Sequence, residues 1–241
     1  MAQQQSDDTA SPLLTNGFLL KLTAFIGALA MLTAALTIAG KYYGDRLAMD
    51  GHTESQEIFH IVVGQDVLSL PANMIRFENQ RHTGDAEVVN AYLSWPELQG
   101  YSAQTKARFS NPVGAQDLIF IEISQSVMSR DMSGRLHPIY SRLFKGEPEK
   151  GPAGLVIHHL DAKSGFGEEV ILTGMTKTGG LYVVRCLMPE NPAAATTADC
   201  QRDVHIGRDL TFLYRFSSTL LADWEALDGR LLAFASQHVQ K

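Results

Sequence analysis

The sequence predicts an α+β fold: an N-terminal transmembrane helix, then one β-rich soluble domain, mostly antiparallel, with a C-terminal amphipathic helix packed on its sheet. Three observations carry this. Leu22 to Ala39 runs for eighteen residues with no charge and no proline. Beyond it, short apolar or alternating runs are separated by turn residues, the pattern of strands. Near the end, Leu220, Trp224, Leu227, Leu231 and Phe234 recur at spacings of four and three, which gives a helix one apolar face.

The first element is the anchor. Eighteen helical residues span about 27 Å, close to the hydrocarbon thickness of a bilayer. Extension back to Phe18 includes Lys21, whose ammonium can snorkel to the interface. Tyr42 and Tyr43 follow the far end, where amphipathic rings favour the headgroup level. A cleaved signal peptide would have a basic start and a shorter apolar run, whereas this start holds Asp7 and Asp8. A buried core helix of this length would carry polar residues. The expected lipid contact is residues 18–39. Lys21 on one side faces Lys41 and Arg46 on the other, so cation counting gives no orientation.

Residues 1–16 form a polar tail, expected to be disordered and cytoplasmic. Residues 17–47 form the helix and its juxtamembrane extension, and 48–241 the β-rich domain, large enough to bury its own core. Three cations and three anions precede residue 48, which leaves 17 basic and 23 acidic side chains in the domain. That mildly acidic, mixed surface argues against nucleic acid, which demands a basic face, and against a polybasic membrane contact.

Strands are expected at Ile58 to Val63, Val67 to Leu70, Val88 to Trp95, Leu118 to Ser124 and Leu155 to Leu160. Glu169 to Gly174 and Leu181 to Cys186 flank Lys177-Thr178-Gly179-Gly180, a hairpin whose glycine pair supplies positive φ values. Asp209 to Phe216 is expected as the last strand. It alternates Leu210, Phe212, Tyr214 and Phe216 against Thr211, Leu213 and Arg215. A short helix is expected after Ser133, using Leu136, Ile139, Tyr140, Leu143 and Phe144, although Pro138 weakens it. Ser218 is the expected cap of the C-terminal helix, with Asp223, Glu225, Asp228 and Arg230 on its polar side.

Cys186 and Cys200 are the two cysteines, and they bracket a loop of prolines and small residues. In an anchored protein they read as a disulfide, which places the domain in an oxidising compartment outside the cytoplasm. The competing reading is two free thiols in a cytoplasmic domain. Zinc ligands would be spaced two to four residues apart.

The candidate chemistry is thin. His158, His159 and Asp161 lie close in sequence, but one strand face supplies only two ligands, so no metal or other cofactor is expected. Glu168 and Glu169 should point to opposite faces. No nucleophile elbow, phosphate loop or metalloprotease helix occurs. The charge-rich segment after Ile75 offers Arg76, Arg81 and His82 as binding residues, because arginines there can hold a carboxylate, a glycan or a partner through paired hydrogen bonds.

Arg185-Cys186, Cys200-Gln201-Arg202-Asp203, Tyr214-Arg215-Phe216 and Trp224 together resemble a group of uncharacterised single-pass inner-membrane proteins of Gram-negative bacteria. The resemblance implies a periplasmic C-terminal domain, an N-terminus in the cytoplasm and a Cys186–Cys200 bridge. It implies no activity, ligand or catalytic residue. The functional expectation is a membrane-anchored, non-enzymatic accessory or binding module that contacts a cell-envelope partner. The alternative is a periplasmic hydrolase whose site gathers Arg76, Arg81, His82 or His159 with a carboxylate.

Overall fold

The structure is a computed structural model that describes residues 16–48, 51–111 and 115–240. It divides into two units, Met1–Asp50 and Gly51–Lys241. The disorder expected of the tail before Asn16 lies outside the described residues.

The first unit contains α1 (Asn16–Ala48). Its Gly17–Ile38 stretch is long and apolar enough to cross a membrane, and none of it is buried within the protein. Twenty-two helical residues rise about 33 Å. The hydroxyls in this stretch are satisfied within the helix. Thr23 donates to the Leu19 carbonyl at 2.9 Å, Thr33 to Leu29 at 2.8 Å and Thr37 to Thr33 at 2.8 Å. A helix that serves its own polar groups suits a solvent that cannot.

The second unit is built from twelve described strands. These are β1 (Ile58–Val63), β2 (Asp66–Pro71), β3 (Gly84–Asp85), β4 (Val88–Ser94), β5 (Leu118–Gln125), β6 (Glu149–Lys150), β7 (Val156–His159), β8 (Val170–Met175), β9 (Leu181–Cys186), β10 (Cys200–Ile206), β11 (Leu210–Phe216) and β12 (Val239–Gln240). Helix α2 (Lys106–Ser110) precedes β5, and α3 (Trp224–His238) precedes β12. Eight strands form one antiparallel sheet in the order β4-β5-β11-β10-β9-β8-β7-β6. Four form a smaller sheet, β12-β2-β1-β3, in which only β1 and β3 run parallel.

Alternation sorts the side chains between faces. Ile119, Ile121 and Ile123 of β5 and Leu210, Phe212, Tyr214 and Phe216 of β11 enter the main core. Ile61, Val63, Leu68 and Leu70 of the small sheet meet them there, with Leu227, Leu231 and Phe234 of α3. A turn-to-turn contact joins the sheets. Asp66, at the start of β2, accepts the Arg208 N–H at 2.8 Å from the β10–β11 turn. Gly207 in that turn has a φ of +62°, and a Cβ there would stand 2.7 Å from the Asp66 carboxylate. Position 207 is therefore closed to any side chain on both counts.

Among the described residues, two clusters cover the opposite face of the large sheet, one at each end. Met132, Leu136 and Tyr140 pack on Leu160, Ile171 and Val183 at one end. Tyr101, Phe109 and Ala115 pack on Tyr92 and Leu118 at the other. Among the described residues the middle, over β5 and β11, is left open.

Several expectations are corrected. The stretch after Ser133 is a run of turns with a 3-10 turn at Tyr140–Arg142, not an α-helix. Pro138 has no N–H to continue the ladder, and Leu136 and Tyr140 reach the sheet from turns instead. β11 is not the last strand, because β12 adds Val239 and Gln240 to the edge of β2. Strand β10, for which no element was expected from the sequence, pairs with β11 along its whole length. In the β8–β9 turn only Gly179 takes a positive φ, +82°. Ser217 rather than Ser218 caps the final helical segment, which opens as 3-10 over Ser218–Asp223 before α3 begins.

Asp228 is also corrected: it is buried, not on a polar face. It accepts hydrogen bonds from Arg202 Nε at 3.0 Å and from the Tyr214 hydroxyl at 2.6 Å. The partners come from β10 and β11, which helix periodicity cannot show. Arg202 also fills a split in the sheet. β9 and β10 pair only at Cys200–Cys186 and Gln201–Arg185. Past that point Arg202 donates to the Val183 carbonyl and to Ser133 Oγ, both at 2.8 Å, and Ser133 donates to Leu181 at 2.9 Å.

Candidate functional site

The open middle of the large sheet holds a groove of about 260 Å3. Its floor follows from strand register. Asn90 of β4 stands opposite Glu122 of β5, which stands opposite Leu213 of β11. Phe120 stands opposite Arg215 in the next outward row. Because successive side chains alternate, these five share the face turned away from the main core. Arg76 enters from one side and Ala198 from the other.

Arg76 is held in place. The preceding residue, Ile75, bridges Ala91 of β4, and the Arg76 N–H donates to the Asn90 carbonyl at 2.8 Å. Its guanidinium lies 4.7 Å from the Phe120 ring centre and 4.9 Å from that of Phe77. Such stacking fixes a planar cation while leaving its N–H edge free to donate. Arg81 does not reach the groove. It donates from Nε to the Ile75 carbonyl at 3.1 Å and from Nη2 to the Arg76 carbonyl at 3.2 Å, and so braces the turn that presents Arg76. His82 is exposed and does not line the groove. Of the three residues singled out from the sequence, one lines the groove, one positions it and one stands apart.

Asn90, Glu122 and Arg215 were not singled out from the sequence. Alternation in β11 marks Arg215 as outward-facing. Its meeting with Arg76 depends on the β4-β5-β11 order, which no local pattern encodes. Among the described residues, Arg76, Arg215 and Glu122 make no ion pair. Glu122 is a diagonal neighbour of Arg215 on the same face. The groove therefore offers two guanidiniums, one carboxylate and an apolar floor of Phe120 and Leu213.

The remaining candidates disperse. His158 stacks on Phe144 at 4.3 Å and contacts Thr173 Oγ1 at 3.0 Å, and its partial burial lowers its pKa below the ordinary histidine value. His159 pairs with Glu149 at 3.2 Å, while Asp161 caps a 3-10 turn through the Lys163 N–H. Glu169 pairs with Arg185 at 3.0 Å, and Glu168 is exposed. Among the described residues no group of three or more His, Cys, Asp or Glu side chains converges to hold a metal. The hydrolase expectation asked for arginine, histidine and a carboxylate together. The groove supplies the first and last without a histidine. Next to it, Tyr92 has its pKa raised to about 12, because burial disfavours the phenolate more than the Arg81 charge favours it.

Cys186 and Cys200 form a disulfide between directly paired residues of β9 and β10. The loop it closes carries the Ala198 wall of the groove. Asp199 pins that loop, accepting from the Thr196 N–H at 2.9 Å and from Ser218 Oγ at 2.7 Å. Gln116 Nε2 holds it again at the Pro192 carbonyl, at 3.1 Å.

The chain thus joins an exposed apolar helix to a disulfide-bonded α+β domain with an arginine-flanked groove. No family model matches it, and no curated protein matches it in sequence. Among solved structures it is similar to Smlt3025, an immunity protein of the Stenotrophomonas maltophilia type IV secretion system. That match has 14% identity and a TM-score of 0.51, and covers 80% of this chain and 98% of the other. The Neisseria meningitidis iron-regulated outer membrane lipoprotein FrpD matches with 12% identity and a TM-score of 0.38, over 68% of this chain and 82% of its own. The likeness to Smlt3025 is one of fold.

Proposed function

We propose that this chain is a membrane-anchored, non-enzymatic binding module. In this reading residues 1–16 lie in the cytoplasm, 17–47 cross the inner membrane, and 48–241 form a periplasmic domain that contacts a cell-envelope protein. The observation that carries it is α1: a predominantly apolar stretch of twenty-two residues with none of it buried, joined to a domain that has its own core. Such a helix either anchors the chain or acts as a signal sequence. The acidic start favours the anchor. The Cys186–Cys200 disulfide supports an oxidising compartment for the domain. Tethering raises the effective concentration of the domain toward any partner in the same membrane. The shared fold with an immunity protein supports a binding role over turnover.

The test is gentle detergent extraction of the full chain from native membranes, followed by size analysis and identification of what co-purifies. A defined complex with an envelope protein is the expected result. A particle that contains only this chain overturns the partner. Thiol labelling in intact cells checks the compartment: both cysteines should stay unlabelled until a reductant is added.

A further inference from the structure

We propose that the groove between Arg76 and Arg215 receives an acidic side chain of a protein partner, an Asp or Glu on a peptide segment seated over Phe120 and Leu213. The inference rests on the binding-module reading and assigns its contact point.

Four arginines elsewhere in the domain are already committed to carboxylates. Arg108 pairs with Glu97 and Asp117, Arg135 with Asp203, Arg185 with Glu169 and Arg202 with Asp228. Among the described residues Arg76 and Arg215 make no ion pair, a state they share with Arg81, Arg130, Arg142, Arg208 and Arg230, and what sets these two apart is that they flank one cavity. Arg76 is already ordered by two aromatic rings and by the turn that Arg81 braces. A preordered guanidinium loses little conformational freedom when it binds, which favours association. A carboxylate matches the N–H fork of such a group in geometry as well as charge.

The other groups decide which anion fits. Glu122 places a negative charge on the floor between the arginines. It opposes a doubly charged phosphate but suits a ligand that carries hydrogen-bond donors beside its carboxylate, as a peptide does. Phe120 and Leu213 suit the methylenes of such a side chain. At about 260 Å3 the groove is smaller than most cofactor or drug-sized sites and takes a side chain with its flanking backbone. The mildly acidic, mixed surface of the domain argues against an extended polyanion such as nucleic acid, whereas a single carboxylate meets only the local charge of the two arginines.

The experiment uses the full chain in detergent and a fluorescent decapeptide rich in Glu and Leu, with its Gln-for-Glu counterpart as control, read by anisotropy. The acidic peptide should bind, and the control should bind at least about tenfold more weakly, the loss expected when a charge-assisted hydrogen bond is removed. Arg76→Gln with Arg215→Gln should weaken the acidic peptide by a similar factor and leave the thermal midpoint unchanged. Glu122→Gln, which removes the opposing charge, should strengthen it. Millimolar inorganic phosphate should not compete. The inference is overturned if neither peptide binds, if the arginine variants bind as the parent does, or if phosphate displaces the peptide. The same variants separate it from the broader reading. A membrane complex that survives both arginine changes sinks the groove and leaves the module. Peptide binding without any co-purifying partner sinks the module and leaves the groove.

Discussion

Asp228 shows what a single residue settles in this fold. It stands on α3 almost completely buried, against an arginine and a tyrosine that arrive from the sheet. The Arg202 charge is retained there because Asp228, Ser133 and the Val183 carbonyl all serve it. A buried pair gains little over apolar replacements, but half of one is costly, because the remaining charge has nowhere to go. Asp228→Ala should therefore lower stability by about 3–5 kcal/mol in urea denaturation. Arg202→Met combined with Asp228→Leu should be less damaging than Asp228→Ala alone. If the double variant is as unstable as the single, the stranded charge is not the cause. The same residue marks a limit of sequence reading. Helix periodicity placed Asp228 with Asp223 and Glu225 on the polar side, and only the arrival of Arg202 and Tyr214 reverses that. Arg76 was legible as a binding candidate from local charge. Arg215 and Glu122 were not, since their role exists only once β5 pairs with β11.

At the scale of elements, alternation was the reliable signal. β5 and β11 follow their patterns closely, and their apolar residues form the centre of the core. The failures have physical causes. The residues after Ser133 carry helix-like spacing, yet they meet the sheet as turns that close the split between β9 and β10. Strand β10, CQRDVHI, holds charged residues at two positions because one fills that split and the other pairs with Arg135, so it does not read as a strand. The disulfide was legible from spacing and composition, and it ties β10 to β9 where the backbone ladder is only two pairs long. Closing a loop of this size contributes about 3 kcal/mol in the chain-entropy model. Cys186→Ser with Cys200→Ser should lower the unfolding free energy measured in urea by that amount, with a lower midpoint, and a reductant should do the same to the parent chain. A midpoint that ignores the reductant would show that Asp199 and Gln116 hold the loop unaided.

At the scale of the whole molecule, the two units differ in what they expose. Among the described residues, the main core joins both sheets and α3 with residues from beyond Gly51. In α1, the side chains from Gly17 to Ile38 are apolar and exposed, apart from Lys21 and threonines whose hydroxyls are internally satisfied. That contrast was legible from composition, because an uncharged run of this length is long and apolar enough to cross a bilayer. It implies that the domain does not need the helix to fold, while the full chain needs a bilayer or detergent to stay dispersed. A fragment of residues 51–241, kept oxidised, should be soluble and melt cooperatively at the midpoint of the full chain in detergent. It should leave the membrane pellet for the supernatant after cell fractionation. A fragment that aggregates or melts without cooperativity would mean that α1 contributes to the folded domain. The separation of an apolar span from a self-sufficient domain would then be wrong. A fragment that folds but still sediments with membranes would assign part of the membrane affinity to the domain itself, against its net acidity and mixed surface.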